Sequence, residues 1–170
     1  MALIVAEKIS KTYRVGEIAV QALKDVSFTI EPASFVSFVG PSGSGRTAVL
    51  RALADADKVP VLNIGHEISR RLLDLTERQR VLQLPKLLEE AVAGLPDTLS
   101  ILDNTEILFN PVLKQDPLRL LQGLSRDRTI VASWLGNVDG GHLTYAAPEH
   151  PEFRRYPSAD LLVVCLRHGG

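Results

Sequence analysis

Three glycines, a basic residue and a hydroxyl follow one another in the stretch Gly40-Pro41-Ser42-Gly43-Ser44-Gly45-Arg46-Thr47. Binding a phosphate group requires several backbone N–H donors aimed at one point, and glycine lets the chain curl tightly enough to aim them. A helix starting at Arg46 adds its N-terminal partial charge, and Thr47 offers a hydroxyl where a phosphate-bound magnesium ion would sit. The spacing matches the Walker A pattern G-x-x-x-x-G-K-[ST] at every fixed position but one, Arg46 standing where lysine is expected. All eight residues are therefore candidate contacts for ATP with Mg2+. The alternative is an ordinary glycine-rich turn between a strand and a helix.

Arg46 keeps the positive charge and changes its shape. Lysine is a compact ammonium on a slim stem, whereas arginine brings a wide planar fork that must enter the same slot. The expectation is a protein that binds nucleotide but turns it over slowly or not at all. Asp103 closes the apolar run 98–102, TLSIL, and is the candidate second magnesium ligand beside Thr47, or else an aspartate capping a turn. Hydrolysis also needs a group to orient the attacking water. Asn104 comes directly after Asp103 and can orient water without being a base. Glu106 lies three positions beyond Asp103 and Glu67 comes after the run VPVLNI, so both are candidate acids or, equally, solvated carboxylates. Asn137, just past the run TIVASW, is a candidate γ-phosphate sensor or a turn residue. Arg70, Arg71, Arg78, Arg80, Arg154 and Arg155 are either solvated or candidates for an arginine reaching a neighbouring subunit's phosphate. His142, His150 and His168 have no metal-ligand spacing.

These residues need a sheet to hold them at one edge. Residues 3–13 and 19–30 read as two extended segments around a turn, and Glu31-Pro32 separates them from the next strand. Residues 35–39 are that strand, entering the phosphate loop, and 46–54 its helix. Short buried strands are expected at 58–64, 98–103, 128–134 and 161–166. Between the second and third of these five core strands, Thr76 and Gln79 have capping-box spacing, and Pro85 is expected to end or kink the helix that they start. Asp116-Pro117 reads as the N-cap and first residue of a helix through Leu124. Residues 136–157, rich in glycine, proline and histidine, read as a long functional or disordered loop. Strands alternating with helices predict an α/β P-loop NTPase fold, a parallel sheet covered by helices with its ligand at the carboxyl ends of the strands. The division expected is a single P-loop domain over 1–170, with 1–32 a β-rich N-terminal extension and 33–170 the nucleotide-binding core.

A chain of 170 residues, 45% hydrophobic and 23% charged, suits one domain with a real core. Its net charge of −1 supplies no global basic field for nucleic acid, which leaves local arginine clusters open and any such contact indirect or unknown. No apolar run reaches the roughly 18 residues of a membrane span, and Glu7, Lys8 and Lys11 interrupt any signal sequence, which predicts a cytoplasmic protein. The single cysteine, Cys165, sits in the run LLVVCL, where a buried small hydrophobe is expected.

Two resemblances meet at the phosphate loop. Residues 9–39, ISKTYRVGEIAVQALKDVSFTIEPASFVSFV, resemble the start of an ABC transporter ATPase of the lipoprotein-release or macrolide-export type. That likeness implies that Tyr13 stacks on adenine. The chain departs from the pattern at Ala33-Ser34, where Gly-Glu is usual, at Asn104, in the slot of the catalytic glutamate, and in having no LSGGQ-like run. From about residue 48 onward, ISRRLLDLTERQRVLQLPKLLEE, ILDNTEILFNPVLKQDPLRLLQGLSRDRTIVASW and GGHLTYAAPEHPEFRRYPSADLLVV resemble BrxF, the P-loop protein of type 3 BREX phage-defence systems. This second likeness implies a P-loop protein working beside other BREX proteins, with Asp103 as the acid of the second nucleotide motif. The functions in view are thus a BREX-associated ATP-binding protein, weak ATPase or switch, a truncated ABC-type ATP-binding subunit, and a non-catalytic module that keeps the P-loop as scaffold. A homo-oligomer is compatible with each.

Overall fold

The computed structural model describes residues 4–15 and 17–166. Five parallel strands form the central sheet in the order β10 (Leu162–Cys165), β3 (Phe35–Gly40), β6 (Ile130–Leu135), β5 (Ser100–Asp103) and β4 (Val61–Asn63). Successive side chains point to opposite faces, so each strand feeds two cores. On one face Val36, Phe38, Ile101 and Val131 pack under helix α1 (Arg46–Asp57), through Val49, Leu50 and Ala54. On the other, Val39, Leu102, Ala132 and Trp134 meet Ile68 of α2 (Ile64–Leu72), Leu84 and Leu88 of α3 (Glu77–Ala93) and Leu121 of α4 (Pro117–Leu124). The expected α/β fold, a parallel sheet flanked by helices, is present.

Local signals account for the helix starts. Thr76 accepts a hydrogen bond from the Gln79 backbone N–H at 3.2 Å, and the Gln79 side chain accepts from the Thr76 N–H at 2.9 Å, the reciprocal capping box. Asp116 caps α4 by accepting from the Arg119 N–H at 3.2 Å, with Pro117 in the first turn.

Three expectations are corrected, the first in part. Pro85 does not end α3 or open a new helix, α3 running from Glu77 to Ala93 with the proline inside it. A proline has no N–H, so the carbonyl of Val81, four residues earlier, loses its helical donor. The Gln115 side-chain amide donates to that carbonyl instead, at 2.8 Å, and satisfies it from outside the helix. The region 136–157 is no open loop either: β7 (Asn137–Asp139), β8 (His142–Tyr145) and β9 (Arg154–Pro157) form a three-stranded antiparallel sheet. Leu143 and Tyr145 alternate into the core, which the glycine-rich composition concealed. Cys165 is exposed, because it lies on an edge strand and faces away from Val164.

The N-terminal segments pair antiparallel as a separate hairpin, β1 (Ile4–Val15) with β2 (Ile18–Ile30). Its base joins the α1 face: Ile30 is fully buried, and the Phe28 ring meets Phe38 edge-on at 5.6 Å. Among the described residues no helix is long and apolar enough to cross a membrane.

Candidate functional site

The phosphate loop lies between β3 and α1. Gly43 and Gly45 have φ of 80° and 88°, in the left-handed region where only glycine is unstrained. Gly40 is needed for a different reason, since a Cβ there would run into the Ser44 hydroxyl. The Ser44 N–H donates to the Pro41 carbonyl at 3.1 Å and closes the turn, with Ser44 wholly buried. Gly45 caps α1 without any side-chain hydrogen bond, and no acid occupies the first turn. The first backbone N–H groups of the helix therefore have no side-chain cap, the arrangement in which a helix start can accept an anion.

Asp103 comes to this loop from β5, across the intervening strand β6. Its Oδ2 accepts a hydrogen bond from the Thr47 hydroxyl at 2.7 Å, while Oδ1 accepts from the Asn104 N–H at 2.9 Å. A nearly buried carboxylate and a hydroxyl, both hard oxygen donors, thus meet beside the loop, which fits magnesium in chemistry and in place. The residues present also fit a polyphosphate, given the uncapped helix and the glycine curl beside it.

Arg46 does not extend freely over the loop. Its guanidinium lies 3.8 Å from the Glu106 carboxylate, the two side chains being 14% and 32% exposed. Glu106 belongs to the 3-10 helix Thr105–Phe109, just beyond Asp103. Asn104 caps that helix in a left-handed conformation, φ 54° and ψ 55°, and is exposed. Glu67 lies in the first turn of α2 and accepts from Arg70 at 2.7 Å and Arg71 at 2.9 Å. The Arg71 hydrogen bond, with Arg70 assisting, holds its carboxyl below the usual carboxylate range. Of the other arginines, Arg71 also reaches Glu90 at 3.5 Å, Arg80 donates to the Leu75 carbonyl, Arg154 to the Gln115 carbonyl, and Arg155 lies 3.1 Å from His142 Nδ1. No group of three or more metal-ligating side chains occurs among the described residues, and His168 lies outside them. Tyr13 is on β1 opposite Val20, and its side chain likewise lies outside the described residues.

Two cavities flank the loop. One, of about 620 Å³, is bounded by Gly43, Gly45, Arg46, Thr47, Arg51 and Asp55. The other, of about 380 Å³, lies between Pro41-Ser42 and the antiparallel sheet, where Asn137, Tyr145, His150 and Glu152 line it. Asn137 thus shares a cavity with the start of the loop. The Gly136 N–H donates to the Gly40 carbonyl at 3.1 Å, and a Cβ at Gly136 would collide with the Thr144 carbonyl. Tyr145 stacks on Phe109 at 3.6 Å and donates to Glu152 at 3.4 Å. Burial first, then the Glu152 and Glu106 carboxylates, push its phenol up to about 12. Sequence reasoning missed Tyr145, Glu152 and Arg51. The alternation Leu143–Tyr145 was the available signal for the first; nothing local marked the other two.

Comparison with known proteins agrees with the first of the two resemblances. The likeness is to ABC transporter ATP-binding proteins. The chain is 39% identical over 80 residues to the macrolide export ATP-binding/permease protein MacB of Syntrophobacter fumaroxidans, covering 47% of this chain and 11% of that protein. It is 46% identical over 50 residues to the ABC transporter ATP-binding protein YxdL of Bacillus subtilis, covering 29% and 19%. It is 41% identical over 56 residues to the ABC transporter ATP-binding protein MJ0796 of Methanocaldococcus jannaschii, covering 33% and 24%. The chain thus matches at most a quarter of the length of these three curated relatives. A solved dimeric structure of MJ0796 bound to ADP and Pi superposes with a TM-score of 0.46 at 18% identity, over 76% of this chain and 86% of that one. So loose a superposition adds nothing to what the sheet order already says. No family model matches the chain.

Proposed function

We propose that the protein binds a nucleoside triphosphate, ATP by resemblance, with magnesium, and hydrolyses it slowly or uses it as a switch. The observation that carries this reading is the 2.7 Å hydrogen bond from Thr47 to Asp103 beside the uncapped start of α1. Thr47 and Asp103 would hold the ion, and the N–H groups of Gly43 to Thr47 would face the phosphates. Magnesium, when bound, supplies charge to neutralise the phosphate oxygens. Slow turnover is the consequence of the chain's own groups. Arg46 replaces the slender lysine and is engaged by Glu106, Glu67 is neutralised by two guanidiniums, and Asn104 is no base. Asn137 is the proposed sensor of the terminal phosphate.

Titration with a fluorescent ATP analogue tests binding. Retention by the wild type that falls on chelation of magnesium, and that Asp103→Asn weakens about tenfold or more, is expected from loss of one charged ligand. A wild type that retains no nucleotide in magnesium would leave only the scaffold reading. For turnover, Arg46→Lys is expected to release phosphate faster than the wild type, and equal rates would overturn the slow-turnover reading.

Two cellular settings remain, each with its own support. The text after residue 48 supports a component of a BREX-type phage-defence system, partnered by other BREX proteins. The similarity to ABC ATP-binding proteins supports a transporter-type subunit, a nucleotide-dependent homo-oligomer on that reading. Neighbouring genes for a PglZ-type phosphatase and a methyltransferase favour the first, and a neighbouring permease gene favours the second. Sedimentation with and without nucleotide tests self-association.

A further inference from the structure

The phosphate-loop arginine already has an anion of the chain's own. Glu106 stands 3.8 Å from Arg46, the pair being mostly shielded on the arginine side. One guanidinium nitrogen faces the carboxylate, at an ion-pair distance longer than a hydrogen bond, so an incoming polyphosphate competes with Glu106 for the charge and orientation of Arg46. The carboxylate also repels the phosphates directly. The cation is carried by α1, a full α-helix that Arg46 opens, whereas the anion sits on a short 3-10 helix able to yield first.

We propose that Glu106 is an internal competitor for the phosphate loop, a positioning residue that holds Arg46 away from the ligand and thereby sets nucleotide affinity. This rests on the nucleotide-binding reading above and assigns Glu106 a role other than water activation. Release of Glu106 has a path outward. Phe109 ends the same 3-10 helix, stacks on Tyr145 of β8 at 3.6 Å and meets Trp134 edge-on at 5.0 Å. Trp134 is the only tryptophan of the chain, so its fluorescence reports on this cluster.

The experiment is a set of binding titrations in magnesium, with the fluorescent ATP analogue and separately with inorganic tripolyphosphate, on the wild type, Glu106→Gln, Arg46→Met and the double variant. Glu106→Gln is expected to bind both probes about two- to fivefold more tightly, the range for loss of one partly exposed charge contact. The gain should shrink in the Arg46→Met background, where no guanidinium is left to free, and Glu106→Asp should fall between wild type and Glu106→Gln. Trp134 emission should shift on binding to the wild type and less so in Glu106→Gln. Unchanged or weaker binding by Glu106→Gln, with a melting temperature like the wild type's, overturns the proposal alone. An equal gain in both Arg46 backgrounds does the same. Absence of binding by every variant overturns the nucleotide reading as well.

Discussion

Two antiparallel pieces are attached to one parallel core, and they are attached differently. The N-terminal hairpin meets the core at its base, where Ile4, Phe28 and Ile30 are the described hairpin residues in the hydrophobic cluster under α1. The sheet β7–β9 is built into the opposite cluster through Leu143, Tyr145 and Tyr156, and a backbone hydrogen bond ties Gly136 to the first residue of the phosphate loop. Among the described residues the first attachment shows hydrophobic burial with one edge-on ring contact, Phe28 to Phe38, and the second shows ring stacking and hydrogen bonds that end at the site. On the proposed nucleotide-binding reading, the second addition is the one whose described contacts reach the phosphate loop.

Phe109→Ala should break the second attachment most severely. Phe109 is 1% exposed and packs on both Trp134 and Tyr145, so about 3–5 kcal/mol of unfolding free energy should be lost in denaturant titration. Nucleotide affinity should change with it. Phe28→Ala, at the half-buried base of the hairpin, should cost about 1–2 kcal/mol and leave nucleotide affinity as it was. A reversed pattern, with affinity tracking Phe28 and not Phe109, would break the comparison. The smallest effect concerns pH. Tyr145 has its pKa raised from 10.0 to about 12, so the unfolded chain ionises first. Its contribution is complete below pH 10 and is lost as pH rises towards 12. Tyr145→Phe should flatten the alkaline stability profile across that window, above the remaining slope from Tyr156, whose pKa burial also raises.

What was legible in the chain was what nearest neighbours decide. The glycines and Thr47 of the loop, the apolar runs of β3, β5 and β6, the Thr76–Gln79 box and Asp116-Pro117 each act within a few residues, and each lies where the pattern put it. The failures came from partners distant in sequence. Pro85 reads as a helix breaker until Gln115 is seen to serve Val81. Strands of three or four residues, as in β7–β9, show too little alternation to stand out in a glycine-rich segment, and they are defined by the core beneath them. Cys165 depended on its strand lying at the sheet edge. For the site, Asp103 was legible as a strand-end acid, but the pairing of Arg46 with Glu106 joins two stretches that share no local signal.

The Gln115–Val81 contact also makes a statement about descent. Pro85 in mid-helix is tolerable where a side chain from elsewhere supplies the missing donor, and Gln115 is that side chain. The two positions form a compensated pair in this chain: a proline at 85 without an amide at 115 would strand the Val81 carbonyl. Among relatives that share α3, those with another residue at 85 should be free to vary at 115, and those with the proline should keep an amide there.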